Sequence, residues 1–423
     1  MRVFKFGGAS ANSIERIQTL AEIVRSNQNN KILIVISAMG KTTNALERVA
    51  ESFHAGHPQD AMALFDVVKR SHLNTAKYLL VKSHLEVEEQ LSGFFTEVEW
   101  LLQDKHPREY DYFYDQIVCI GELLSTTIIS AYLNESGVPN KWFDVRDVFR
   151  TDNNFRDAAI DWGFTQEKVN EFVIPLFSNF NLLITQGFVG ATDDNESTTL
   201  GREGSDYSAA VFANMLSAED LTIWKDVEGV MSADPKQFEE ATLIRELNYD
   251  EVIEMAFYGA QVIHPKTIKP LENKNIPLLV KCFLDDQLPG TIIQKKSSKK
   301  LPPIIVLKQE QALMHLHSKD FSFVGEQLTA RLYELFSEIK IKPNLIQIGA
   351  VNLQVCFDYR ADKIDKLAEA ASVFFNVHLE KELTLLTVRH YLADTLERLI
   401  GNRSVVLKQQ SPHTVQVLLN GKW

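Results

Sequence analysis

The chain has 423 residues, of which 45% are hydrophobic and 24% charged, enough to bury large cores in two or three domains. A formal net charge of −12 speaks against nucleic acid or an anionic membrane as a partner. Its three cysteines, Cys119, Cys282 and Cys356, form neither a metal-ligand spacing nor an even-numbered disulfide framework, which fits a reducing cytoplasm. The most apolar run, residues 32–38, is too short to cross a bilayer, and the first residues lack the apolar region of a signal peptide.

In chain order, residues 2–6 read as a strand, Gly7 and Gly8 as a turn, and the following segment as a helix with Ile14, Ile17, Leu20, Ala21 and Val24 on one face, capped by Ser10, Asn12 or Ser13. Residues 31–37, 182–186 and 221–225 read as buried strands, and residues 44–134 as almost wholly helical. Strands alternating with helices up to about residue 293 predict an α/β domain with helices on both faces of its sheet. Residues 294–303, Gln-Lys-Lys-Ser-Ser-Lys-Lys-Leu-Pro-Pro, read as an exposed linker. Beyond it come a strand (304–317), a helix (325–339), a strand (344–358) and a helix (364–375). A shorter echo follows, with strands at 378–389, 404–408 and 414–419 and a helix at 392–400. These predict two small α+β modules, 304–377 and 378–423, the second lacking its final helix.

Two glycine sites carry the chemistry. Strand, glycine pair, then helix is the order of a phosphate cradle: Gly7 and Gly8 leave backbone N–H groups free for an oxyanion, with a helix dipole behind them. The pattern is neither a Walker loop nor a dinucleotide fingerprint, and an ordinary turn beside a surface lysine would read the same way. In Gly201-Arg202-Glu203-Gly204-Ser205-Asp206, the glycines permit close backbone approach and Arg202 can clamp a carboxylate or phosphate. Ser205 or Asp206 is expected to cap a helix running from Tyr207 to Leu216. A capped loop with a surface arginine is the bland alternative.

Six ordered motifs resemble the aspartate kinases of the amino-acid kinase superfamily over residues 1 to about 293. Besides the two glycine sites they are Ser37-Ala38-Met39-Gly40-Lys41-Thr42-Thr43-Asn44, Gly121-Glu122-Leu123-Leu124-Ser125 with Gly187-Phe188, Asp226-Val227-Glu228-Gly229-Val230-Met231-Ser232-Ala233-Asp234-Pro235-Lys236, and Ala256-Phe257-Tyr258-Gly259-Ala260-Gln261-Val262-Ile263-His264-Pro265. The C-terminal modules resemble the tandem ACT modules of such kinases. The resemblance implies a three-layer αβα sandwich followed by two ferredoxin-like modules. It implies transfer of the ATP γ-phosphoryl group to the β-carboxylate of L-aspartate, giving 4-phospho-L-aspartate for lysine, threonine and methionine synthesis. Mg²⁺ would arrive with the nucleotide, with no separate metal site, and the protein would be a cytoplasmic homodimer.

By the same resemblance, Lys5 stabilises the moving phosphoryl group and Asp206 orients Lys5. Arg202 grips the substrate α-carboxylate and Glu122 its ammonium, with Thr43, Ser37, Ser205 and Phe188 completing the aspartate site. Gly7, Gly8 and Ser10 cradle phosphates, and Lys225, Asp226, Met231, Asp234, Lys236 and Gln261 surround the nucleotide. Departures cluster there: Ala9, Lys225, Met231, Lys236 and Gln261 replace the family's usual residues, so Lys225 is expected to compensate for the cation missing at Gln261. Alternatives are a non-catalytic amino-acid sensor on the same fold, or a kinase for glutamate or N-acetylglutamate. Ser318, Phe321, Asn344 and Ile346 mark the effector site the resemblance implies, for threonine or lysine. Asn344 stands where lysine-sensitive members often have an aspartate, which favours threonine or no effector, because an amide cannot neutralise a buried ammonium.

Overall fold

The computed structural model describes residues 1–103, 108–260, 263–296, 300–319 and 323–423. They form two units: Met1–Val230 with Leu243–Ile253 and Val262–Ser298, and Met231–Thr242 with Glu254–Gln261 and Lys299–Trp423. The units therefore interleave in sequence, where the composition had suggested one cut at the basic linker.

The first unit is built on strands β1 (Arg2–Phe6), β2 (Ile32–Ile36), β3 (Lys141–Trp142), β4 (Leu182–Gln186), β5 (Val189–Ala191), β6 (Ser197–Thr199), β7 (Leu221–Lys225), β8 (Glu246–Asn248), β9 (Leu278–Cys282) and β10 (Thr291–Gln294). Eight of them make one sheet in the order β3-β4-β2-β1-β7-β9-β10-β8. Every pair is parallel except β9 with β10. In β2, Ile-Leu-Ile-Val-Ile, all five side chains are buried, as expected of a central parallel strand covered on both faces. From β1 the chain moves to one side through β2 and β4, then crosses to β7 on the other. That reversal places a crevice beyond the carboxyl ends of β1, β2 and β7, where ligands of open α/β sheets bind.

The helices Tyr110–Val118 and Ile120–Glu135 form a stretch long and apolar enough, by length and composition, to span a bilayer, with mean hydropathy 1.5. It is 83% buried inside the protein, the mark of a core helix, and it outranks residues 32–38 as the longest apolar segment.

In the second unit, β11 (Ile304–Ser318), β12 (Pro343–Ile348), β13 (Asn352–Asp358), β14 (Phe375–Arg389), β15 (Val405–Gln410) and β16 (Thr414–Asn420) form an antiparallel sheet in the order β12-β13-β11-β14-β16-β15. β11 and β14 pair along their length, from Ile304 opposite Arg389 to Ser318 opposite Phe375. Both modules share these two strands, and residue 377, the expected module boundary, falls inside β14. The first half carries helices Glu326–Glu338 and Ala361–Ala371, and the second carries Ala393–Ile400. Residues 344–358, read as one strand, are a hairpin that turns at Gly349, whose N–H donates to the Asn352 carbonyl at 2.8 Å.

Candidate active site

The turn after β1 continues as a 3₁₀ turn, Gly8–Ala11, with the Ser10 N–H donating to the Gly7 carbonyl at 2.9 Å. Of the three expected caps for the next helix, Ile14–Asn27, Ser13 takes the role and accepts from the Arg16 N–H. Gly8 is required by close approach: a Cβ there would lie 2.6 Å from the Ala38 carbonyl oxygen. The Gly40 N–H donates to the Gly8 carbonyl at 3.0 Å, so the turns after β1 and β2 form one surface.

The helix expected from Tyr207 begins earlier, at Gly204, and runs to Met215. Its N-cap is Glu203, in the left-handed conformation at φ 54° and without a side-chain cap bond. Ser205 and Asp206 therefore sit inside the first turn and are not caps. All twelve residues of this helix are buried. Asp206 is held where its carboxylate meets the Lys5 ammonium at 2.5 Å, with 6% and 11% of the two side chains exposed. Burial opposes ionisation of Asp206, but the charges of Lys5 and Lys225 and the Lys5 hydrogen bond hold its carboxyl below the usual range.

Glu122, on the helix Ile120–Glu135, is 2% exposed. Its Oε1 accepts from the Ala38 N–H at 3.2 Å, while Oε2 is buried without a partner among the described residues. Burial pushes the carboxyl up to about 8, against the lowering effects of backbone hydrogen bonds and Lys5. An orphaned carboxylate oxygen in a cavity wall is a receptor for a cationic donor. Ser37 is fixed by backbone bonds: its N–H donates to the Phe6 carbonyl, and its carbonyl accepts from Ser125 Oγ at 2.8 Å. Phe188, at φ 68°, donates its N–H to Ser208 Oγ at 2.9 Å.

These groups meet in one cavity of about 590 Å³, at the crevice beyond the carboxyl ends of β1, β2 and β7. Its walls contain Lys5, Gly7, Gly8, Ser10, Ser37, Thr43, Glu122, Phe188, Arg202, Ser205, Asp206, Lys225 and Asp226. Glycine turns, a buried cation–anion pair and a helix N-terminus facing one cavity are the equipment for binding a polyanion next to a reacting carboxylate. Residues 1–282 match the pattern described as the Amino acid kinase family. The chain belongs to that family. It is similar to the lysine-sensitive aspartokinase 3 of Escherichia coli (strain K12), at 29% identity across 99% of this chain and 93% of that protein. It is also similar to the chloroplastic aspartokinase 1 of Arabidopsis thaliana, at 31% identity across 84% of this chain and 63% of that one. The crystal structure of E. coli aspartokinase III in complex with aspartate and ADP superimposes with a TM-score of 0.83 and 27% identity, covering 100% of this chain and 96% of that one.

This amino acid kinase has cavity residues that sequence reasoning missed. Arg156 lines the wall at φ 70° and stacks its guanidinium 4.4 Å from the Tyr114 ring centre. Its backbone N–H is held by buried Asp115, which also accepts from the Thr199 N–H and hydroxyl. Trp224, near the end of β7, lines the cavity with a buried indole N–H that has no partner among the described residues. No local sequence signal marks them, because residues from three distant segments converge here. Met231, Asp234 and Lys236 belong to the second unit, while Gln261 and Phe321 lie outside the described residues. Of the regulatory candidates, Ser318 ends β11 and Ile346 lies in β12. Asn344 is occupied: its amide nitrogen donates to Gln311 Oε1 and Asp358 Oδ1, and its oxygen accepts from Lys308 Nζ at 2.8 Å.

Proposed function

We propose that the protein phosphorylates L-aspartate on its β-carboxylate, using ATP delivered as its Mg²⁺ complex, in the cytoplasm. The observation that carries the reading is the buried Lys5–Asp206 pair facing, across one cavity, Arg202 and the Glu122 carboxyl, whose Oε2 has no partner among the described residues. The named aspartate complex of the E. coli enzyme supports it. The nucleophile is already a carboxylate with no proton to lose, so the work of the site is positioning and charge neutralisation. Gly7, Gly8 and Ser10 hold phosphate oxygens, and Lys225 and Asp226 flank the nucleotide. Lys5 follows the charge that grows on the transferred group, and Asp206 aims it. Glu122 binds the α-ammonium and Arg202 the α-carboxylate, which leaves the β-carboxylate to attack. Glu122 also selects against N-acylated substrates, which carry no cation for it. Free, buried cysteines are in keeping with a reducing compartment.

Arg202→Ala tests the substrate pose. It removes a grip present in ground and transition states alike, so steady-state kinetics should show KM for aspartate rising by about tenfold or more with kcat little changed. A kcat defect at constant KM would move Arg202 to the phosphoryl group.

The antiparallel unit is the regulatory and dimerising part of the proposal, with exposed Phe323 and Ile348 as apolar contacts for a second copy. Asn344 is a neutral amide, already tied to Asp358 and Lys308, and so offers no anion to a lysine side chain. Titrating turnover with lysine, threonine and methionine should give inhibition by threonine or by none of them. Inhibition by micromolar lysine alone would transfer the ammonium-binding role to Asp358.

A further inference from the structure

A second cavity of the first unit, about 290 Å³, has walls that include Asn12, Ser13, Lys41, Thr42, Ser71 and His72. Two helices begin in those walls: Ile14–Asn27, where Ser13 caps the Arg16 N–H, and Thr42–His54, whose first N–H donates to the Met39 carbonyl and whose N-cap residue Lys41 gives no side-chain cap. Both present the positive ends of their dipoles, and Lys41 adds a full charge. No Asp or Glu is among the described residues that line it, in a chain whose net charge is −12.

His72 gives an independent sign of a ligand. It is 2% exposed, and its Nδ1 lies 2.8 Å from the Val68 carbonyl. A carbonyl only accepts, so Nδ1 carries the proton and Nε2 is left as a bare acceptor, buried and without a partner among the described residues. The cavity thus offers one cation, Lys41, and helix N-termini for an oxyanion, together with one lone pair that needs a proton donor. Hydrogen phosphate satisfies both demands: its P–OH donates to Nε2 while its other oxygens accept from Lys41 and the helix N–H groups. Sulfate and carboxylates have no proton to give at neutral pH.

We propose that this cavity is a hydrogen phosphate site. Its occupant would steady the start of the helix Thr42–His54 and the turn that bears Ser37 and Thr43, which the Gly40 N–H ties to Gly8. On the aspartate kinase reading, bound phosphate therefore lowers KM for aspartate.

The test is calorimetric titration of the full chain with inorganic phosphate, sulfate and glycerol 3-phosphate at pH 7.5. Phosphate should saturate and bind at least about fivefold more tightly than the other two, as one hydrogen bond allows. Lys41→Ala should weaken phosphate and sulfate together, while His72→Phe, with a thermal melt to check folding, should erase the preference between them. Absence of saturable phosphate binding, equal binding of sulfate, or full binding by Lys41→Ala would overturn the site; equal binding of glycerol 3-phosphate would reassign it to phosphate esters. Phosphate that binds without changing KM for aspartate would overturn the coupling alone, and absence of any kinase turnover would leave the binding result standing.

Discussion

Lys5→Met is expected to reduce kcat by about a hundredfold or more, because it removes a preorganised cation from developing charge. The structure adds a stability consequence. Lys5 and Asp206 are both nearly excluded from water, and deleting one partner leaves the other as a buried charge. Lys225 also acts on Asp206 and offsets only part of that loss. Lys5→Met alone should therefore lose about 2–4 kcal/mol of unfolding free energy, and the double variant Lys5→Met/Asp206→Asn should regain much of it. Catalysis should not return with stability. Single-turnover kinetics beside thermal melts separate the two effects: a double variant that recovers both would mean that the pair is structural.

The second large effect concerns Glu122. Its carboxyl, pushed up to about 8 by burial, holds a proton at neutral pH in the free protein. Aspartate binding brings an ammonium to the unpartnered Oε2 and expels that proton, so KM for aspartate should fall as pH rises from about 6.5 to about 8.5. Stability runs the other way. The folded carboxyl titrates above its unfolded value, so between roughly 4.5 and 8 the folded state retains a proton that the unfolded state has released, and stability declines as pH rises through that window. Glu122→Gln abolishes this slope and should stabilise the unliganded protein above pH 8 by about 1–3 kcal/mol. The same change should raise KM for aspartate by about a hundredfold, since the ammonium then lacks its counter-charge. A pH-independent KM in the wild type would exclude Glu122 as the ammonium receptor.

Much of this site is local in sequence. β2 is an unbroken apolar run and β1 a short strand that carries Lys5, and the glycine turns after them need particular backbone freedom, so Lys5, Gly7, Gly8 and Ser37 could be placed from their order alone. The helix at Gly204 was misplaced by three residues because Glu203, which has no intrinsic preference for the left-handed conformation, takes the N-cap where Ser205 or Asp206 had the better local chemistry. Arg156, Tyr114 and Trp224 reach the cavity only through packing, and such convergence leaves no periodic signal. In the antiparallel unit, Gly349 was the one sign that residues 344–358 turn back on themselves. The strand read at 378–389 starts three residues earlier, at Phe375, the residue at which the sequence pattern ends the preceding helix.

On the proposed function, a buried lysine–aspartate pair and a glutamate with an orphaned oxygen together serve the phosphorylation of a free α-amino dicarboxylate. The most direct test is ATP turnover by the purified full chain with L-aspartate, L-glutamate and N-acetylglutamate compared side by side. Turnover with L-aspartate, trapped by hydroxylamine as the β-hydroxamate, and none with N-acetylglutamate is the expected result. Preferential turnover of N-acetylglutamate, or none with any of the three, would contradict it.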